Sequence, residues 1–379
     1  FHDQRNLLNA LGAVIIIVFF IPYTASGFAA CGKLFNSLFG VDYMAAMILS
    51  AVVIVGYTIM GGFRAVSTTD LIQSVVMSMA LIAVLMYGVS VAGGWDVVLD
   101  NARSLPGYLT MAASHNAADN TATSYSLLDI ASTLAWGLGY FGMPHILVRY
   151  LSIKSEHEMR KSQIIGCSWI VLILAMSAVV GLIGRQFLGE IDNENLVFVH
   201  MVRRLFPAFI SGVLLSAILA AAMSTADSQL LASSSAFASD IYKPVIRKDA
   251  TDHEMQWAGR VIVMLISVVA FFIAASPNCG GIMALVECAW AGFGSAFGPV
   301  ILLSLYWRRL TYSGAIAGVC VGFVVDAVWY AFLSSSTGLY EIIPGFLCGL
   351  LAAVIVSLCS KTPSKEVTDL FDRAFEPTD

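Results

Sequence analysis

The sequence predicts an all-α polytopic membrane protein, and three observations lead there. Of its 379 residues 58% are hydrophobic and only 12% charged, with a mean hydropathy of +0.82. An average soluble domain is roughly 45–50% apolar and about 25% charged. The apolar residues also come in runs long enough to cross a hydrocarbon core, which takes about 20 residues of helix. Backbone groups inside lipid must be satisfied within the segment, so runs of this length read as helices and not as strands. The net charge of −5 is small and spread over the connections, so nothing indicates a nucleic-acid partner. Seven cysteines (Cys31, Cys167, Cys279, Cys288, Cys320, Cys348, Cys359) show no CxxC or metal spacing. Most lie in apolar runs, where small buried thiols are common.

About ten spans follow in order, each closed by polar or charged punctuation: 7–32, 43–61, 68–93, 127–151, 164–184, 207–242, 261–275, 283–307, 315–333 and 342–358. Charge sets their orientation. One side holds Arg5 ahead of the first span, Arg64 after the second, and Arg149, Lys154, Arg160 and Lys161 around the end of the fourth. It also holds Lys243, Arg247, Lys248 and Arg260 after the sixth, Arg308 and Arg309 after the eighth, and Lys361, Lys365 and Arg373 after the tenth. These are 15 of the 20 Lys and Arg; Lys33, Arg103, Arg185, Arg203 and Arg204 make the 5 on the other side. By the positive-inside rule both ends of this stretch are expected in the cytoplasm. The longest outer connection, 95–125, is polar and rich in Asn, Ala and Thr. Residues 1–360 read as one transmembrane domain and 361–379 as a soluble cytoplasmic tail with an amphipathic turn or two. The opening "FHDQRNLLNA" starts on Phe1, has no signal-peptide layout and feeds directly into a span, so an internal junction of a longer protein is expected.

The sixth span poses a problem of polarity. "SAILAAAMSTADSQLLASSS" begins as membrane-grade helix, then carries Ser224, Thr225, Asp227, Ser228 and Gln229 almost in a row. On a helical period Ala221, Ser224, Thr225 and Ser228 share one face, and Asp227 lies one turn beyond Ser224. Each hydroxyl taken alone reads as a bond back to a carbonyl or as glue between helices. A cluster that includes a carboxylate is expensive at this depth and points to function. Oxygen donors without nitrogen or sulfur suit a hard cation, and few charges suit a weakly held monovalent ion. Sodium is the natural candidate.

The fourth span has a second constellation, "LAWGLGYFGMPHILVRY". Trp136 and Tyr140 are one turn apart, among Gly137, Gly139 and Gly142. Pro144 lacks the N–H that would bond the Tyr140 carbonyl, so the helix should break there. Exposed backbone in mid-membrane is tolerated where it lines an enclosed cavity, which makes a pocket for a small amphipathic molecule. A packing kink with interfacial aromatics is the plainer alternative, and His145 reads as a core histidine without a catalytic role. Glu287 and Asp326 lie within apolar runs, the latter with a structural bond or a crevice in view. Gly294 and Gly298, one GxxxG step apart before Pro299, suggest close helix packing. No catalytic order, phosphate loop or metal motif rises above chance, so no enzyme and no organic cofactor are expected.

Together "WGLGYFGMPHILVRY", "LLSAILAAAMSTADSQLL", "AWAGFGSAFGPV" and "LYEIIPGF", with "FFIPYTASG" and "GGFRAVSTTD", resemble the sodium:solute symporter family. The likeness is closest to its members that carry proline with sodium. It runs from Phe1 to about Thr362. It implies a leucine-transporter type of fold, a five-plus-five inverted repeat, here N-terminally incomplete by three spans that would include the first core helix. It also implies sodium-coupled import of a small amino acid, with L-proline foremost, across a bacterial plasma (inner) membrane. Another small zwitterion or a monocarboxylate is the alternative substrate. A sensory module fused to a histidine kinase is the alternative class, marked by a long signalling region.

Carried over by residue, Ala221 (through its carbonyl), Ser224 and Thr225 resemble the sodium ligands. Trp136, Tyr140 and Pro144 resemble substrate-pocket residues, as does Tyr23. Asp70 matches an Asp important in sodium coupling, and Asp227 with Ser228 marks a turn that some relatives use, with that Asp, for a second ion. The expected partners are therefore proline, sodium and the lipid bilayer.

Overall fold

The computed structural model describes residues 3, 5–189, 191, 193–276 and 281–374, and they are overwhelmingly helical. Among the described residues eight helices are long and apolar enough to cross a bilayer. One of them, α2 (Tyr43–Val91), runs 49 residues but breaks at Gly62, whose φ of 61° is open to glycine without strain. That break divides it into the second and third predicted spans. The fourth predicted span is no single helix; it is α4 (Leu127–Leu134), α5 (Trp136–Gly139) and α6 (Pro144–Leu151). Cys279 and the last five residues of the tail lie outside the described residues, and the other six cysteines are free thiols.

The chain folds as two compact units. The larger comprises Phe1–Phe63, Leu128–Leu151 and Thr225–Asp379. It opens with α1 (Leu7–Phe39), which ends at Gly40 in the left-handed region, with its N–H on the Asn36 carbonyl. The first turn of α1 is capped from outside the helix. Asp3 accepts the N–H groups of Leu7, Leu8 and Asn9 at 3.1, 2.8 and 3.2 Å, and the Tyr312 hydroxyl at 2.7 Å. Burial works to raise the Asp3 carboxyl's pKa, but these four donors outweigh it and hold it below the usual range.

The rest of the larger unit is α10 (Asp252–Ala275), α11 (Gly281–Tyr306), α12 (Tyr312–Val328), α13 (Ser334–Thr337), α14 (Ile342–Cys359) and α15 (Lys365–Arg373). Its core joins α1, α11, α12 and α14 through Ile15, Phe19, Phe20, Phe293, Val319 and Ile342. Small residues let these backbones approach. A Cβ on Gly294 would sit 2.6 Å from Ile342 Cδ1 and 2.9 Å from Gly139 Cα, as expected of the GxxxG step. Asp326 is buried on α12 and accepts the Ser295 hydroxyl at 3.0 Å, the structural bond the sequence suggested. In the tail, α15 is a full short helix, and its Asp372 accepts Nε of Arg308 at 2.8 Å.

The smaller unit comprises Arg64–Leu127 and Ser152–Ser224. It contains the second half of α2, α3 (Trp95–Ser104), α7 (Glu156–Leu188), α8 (Val197–Leu205) and the first part of α9 (Ala208–Ala236). Gly88 of α2 faces Ile183 and Met201, and Trp169 of α7 donates to the Ser78 hydroxyl at 3.0 Å. The connection 95–125 contains α3 and a β-hairpin, β1 (Ala113–Asn116) against β2 (Thr121–Ser124), which an all-helical reading leaves out. Beyond Ala236, α9 continues as a π-helical segment, Phe237–Ile246.

Candidate functional site

The break in the fourth span is built by residues whose conformations are locally dictated. Tyr140 keeps helical dihedrals (φ −58°, ψ −30°) as the cap of α5, and a turn follows before Pro144 starts α6. Proline suits a first helical position because the N–H it lacks would find no partner there. Gly142 packs so closely on the Phe293 carbonyl that a side chain would collide with it, and Gly139 does the same against the Trp290 ring.

Around this break stands an aromatic wall. Trp136 and Tyr140 both lean on Trp290, with centroids 5.5 and 4.8 Å away, the Tyr140 pair edge-to-face at 86°. The Trp290 indole N–H donates to the Trp136 carbonyl at 2.8 Å, tying the short helix α5 to α11. Tyr340 also stacks on Trp136, at 6.1 Å, and its hydroxyl donates to the Glu287 carbonyl. One turn along α11, Phe293 contacts Phe20 at 4.7 Å, and Phe20 leads to Tyr23 at 6.5 Å. Tyr23 and Phe20 then pack on the His145 ring, at 6.1 and 5.7 Å. Of the four sequence-predicted pocket residues, Trp136 and Tyr140 meet at Trp290, Tyr23 packs on Phe20 and His145, and Pro144 starts α6 next to His145. Tyr140 stays 46% exposed, so its ring is available to a ligand.

On α9 the Ser224 hydroxyl donates to the Ala221 carbonyl at 3.1 Å. The back-bond of the plainer reading is thus present, and it brings two oxygens to the face where Thr225 adds a third. This is an all-oxygen donor set, suited to sodium. The next turn is more polar still. Asp227, Ser228 and Gln229 follow at 100° steps around the helix, and each addresses a different segment. Asp227, fully buried, accepts the Tyr57 hydroxyl at 2.7 Å and the Ser228 hydroxyl at 3.4 Å. Ser228 accepts from Arg149 Nη2 at 2.7 Å. Gln229 accepts the Thr24 hydroxyl at 3.2 Å. Asp70 lies on the second half of α2, within the smaller unit, and Asp227 and Ser228 lie within the larger.

Sequence reasoning missed Trp290, Tyr57 and Thr24, and it read Arg149 only as an orientation charge. "AWAG" and the final Arg of "HILVRY" were visible, but their partners lie 154 and 79 residues away in the chain.

A family-wide profile described as "Sodium:solute symporter family" matches residues 1–322. The osmoregulated proline transporter of Bacillus subtilis (strain 168) is 41% identical over 376 residues, 98% of this chain and 74% of that one. The sodium/proline symporter of Escherichia coli (strain K12) is 39% identical over 382 residues, 99% of this chain and 74% of that one. The chain belongs to the sodium:solute symporter family.

Membership in the sodium:solute symporter family makes it a multi-pass membrane transporter and not an enzyme. Its fold is shared with a substrate-bound, outward-open Na+-coupled sialic acid symporter. That match has a TM-score of 0.73 at 18% identity and covers 96% of this chain and 76% of the other.

Proposed function

We propose that this protein imports L-proline coupled to sodium, across a bacterial plasma membrane, with both ends of the stretch and the tail at 361–379 in the cytoplasm. The observation that carries the reading is a conjunction. Relatives described as proline transporters are about 40% identical over nearly the whole chain, and the quoted pocket and ion motifs lie inside the matched region. The core is taken as a five-plus-five inverted repeat of leucine-transporter type, and residues 1–360 as one functional transmembrane domain.

Each residue then has a role. Ala221 through its carbonyl, and Ser224 and Thr225 through their hydroxyls, hold the sodium ion. Tyr23, Trp136, Tyr140 and Pro144 line the proline pocket: the rings cover the apolar pyrrolidine, and the backbone freed at the break meets its charged ends. Asp70 in the smaller unit, and Asp227 with Ser228 in the larger, are taken as residues that bear on ion coupling or on a second ion, each within its own unit. Sodium and proline binding are coupled, so each raises the affinity for the other.

The test is uptake of labelled proline into proteoliposomes under an inward sodium gradient, with a potassium gradient as control. Competition by glycine betaine, acetate and other small zwitterions decides the substrate class. Sodium-dependent uptake displaced by proline alone supports the reading, and uptake displaced equally well by a monocarboxylate overturns it.

A further inference from the structure

Among the described residues of the larger unit three buried polar atoms have no protein partner: Nη1 of Arg309, just past the end of α11, and Nε2 of Gln229 and Nδ1 of His145. Gln229 is fully buried, and its amide orientation does not change the problem. With Oε1 on the Thr24 hydroxyl the NH2 group is orphaned, and with the amide reversed the oxygen is. Leaving a buried donor without an acceptor is costly enough that such a group calls for an explanation.

The Gln229 and His145 atoms share a neighbourhood. Phe20 and Thr24 are one turn apart on the same face of α1; Phe20 packs on the His145 ring and Thr24 bonds Gln229. Arg149, one turn past His145 on α6, reaches Ser228, the residue next to Gln229. With the Gln229 oxygen on the Thr24 hydroxyl and His145 in its Nδ1–H tautomer, a cation thus lies near two unfilled N–H donors beside the Phe20 ring. The one carboxylate on that turn, Asp227, lies about 200° around α9 from Gln229 and is engaged by Tyr57 and Ser228. Unfilled donors with a guanidinium beside them suit an anionic oxygen pair, which is what a zwitterion's carboxylate offers.

Position says when it would be met. Gln229 lies four residues, about 6 Å, further along α9 than Thr225, toward the end proposed as cytoplasmic. Resting on the proline reading and orientation above, we infer that Gln229 and His145 form a second, transient station for the substrate's carboxylate on its way to the cytoplasm. The carboxylate leaves the Trp136–Tyr140 wall, is received by the Gln229 amide and the His145 Nδ1–H beside Arg149, and passes on to water.

The test is uptake and counterflow of labelled proline in proteoliposomes with the parent protein, Gln229→Leu and His145→Phe. A station on the exit path predicts turnover reduced roughly fivefold or more, with the apparent KM for external proline and the sodium curve within about twofold of the parent. Inhibition by internal proline should weaken, while internal pyrrolidine, the ring without the carboxylate, should act equally on parent and variants. Parent-like turnover in Gln229→Leu would mean that the amide meets only water, and a raised external KM at unchanged turnover would place it in the outer site. Either result overturns the inference. Should Gln229→Leu not reach the membrane, His145→Phe is judged by the same outcomes. A parent protein that takes up no proline at all would defeat the substrate reading instead.

Discussion

The indole N–H of Trp290 donates to the backbone carbonyl of Trp136 at 2.8 Å, while the two rings lie 5.5 Å apart. One side chain therefore supports both the backbone and the ring at the start of the broken segment. Trp290→Phe keeps the aromatic surface and removes the donor. Losing that bond should cost about 0.5–1.5 kcal/mol, a rise of roughly two- to tenfold in apparent KM for proline. Trp290→Ala also removes the platform under Tyr140 and should be worse. Kinetics of proline uptake at equal membrane abundance measure both, and a parent-like KM in Trp290→Phe would show that the bond does not shape the pocket.

Trp136 and Tyr140 present their rings from the same wall, but with unequal support. Trp136 contacts both the Trp290 and the Tyr340 rings, whereas Tyr140 has the edge-to-face contact with Trp290. Trp136→Ala should therefore have the larger effect. Burial of an aromatic ring is worth roughly 1.5–3 kcal/mol, so a tenfold or greater rise in apparent KM is expected there. Unchanged proline kinetics in both variants would move the pocket elsewhere.

These contacts show what the sequence could and could not disclose. The break at Pro144 was legible because proline and glycine act on their own backbone, and the residues concerned are consecutive. The oxygen face of α9 was legible because helical period alone aligns Ala221, Ser224 and Thr225. Trp290, Tyr57 and Thr24 were not, because a side chain's role as partner is set by which distant segment packs against it. The hairpin was missed for a different reason. Its strands are four residues each, and its turn rests on Asn116 and Asp119 accepting local N–H groups, with Asn120 left-handed at φ 54°. No apolar alternation announced it.

Asp227 and Tyr57 form the clearest pair for a double-mutant cycle. Their 2.7 Å bond links α2 to a carboxylate with no exposed surface. Tyr57→Phe and Asp227→Asn should each destabilise the protein, and the double variant by less than their sum. A coupling energy of about 0.5–3 kcal/mol is expected for groups in direct contact. Thermal unfolding of the purified variants measures it, and strict additivity would show that the two do not act together.

Asp3 gives a pH dependence with a definite sign. Burial raises its pKa, but Tyr312 and three backbone N–H groups prevail, so the folded value lies below the unfolded one. A depressed carboxyl contributes stability above its unfolded pKa, about 3.9, and loses that contribution as pH falls through the folded value. Asp3→Ala should therefore lower the melting temperature at neutral pH by an amount matching a lost helix cap, about 1 kcal/mol. The gap between parent and variant should hold from pH 8 to pH 6 and close as pH falls below about 4. A gap that widened in acid would refute the capping role.

Thr225 tests the ion site itself. Its hydroxyl adds an oxygen to the face where Ser224 bonds the Ala221 carbonyl at 3.1 Å. Thr225→Ala deletes that oxygen with little loss of volume, so folding should persist while sodium is held less tightly. The sodium concentration for half-maximal proline uptake should rise. A lost bond to a charged partner is worth about 1.5–3 kcal/mol, which sets the rise at roughly tenfold or more. Because the two ligands are coupled reciprocally, saturating sodium should restore much of the proline affinity. Thr225→Ser keeps the oxygen and should stay near the parent curve. Proline uptake measured against sodium concentration separates the cases: if Thr225→Ala follows the parent curve, the hydroxyls of α9 are helix glue and the ion is bound elsewhere.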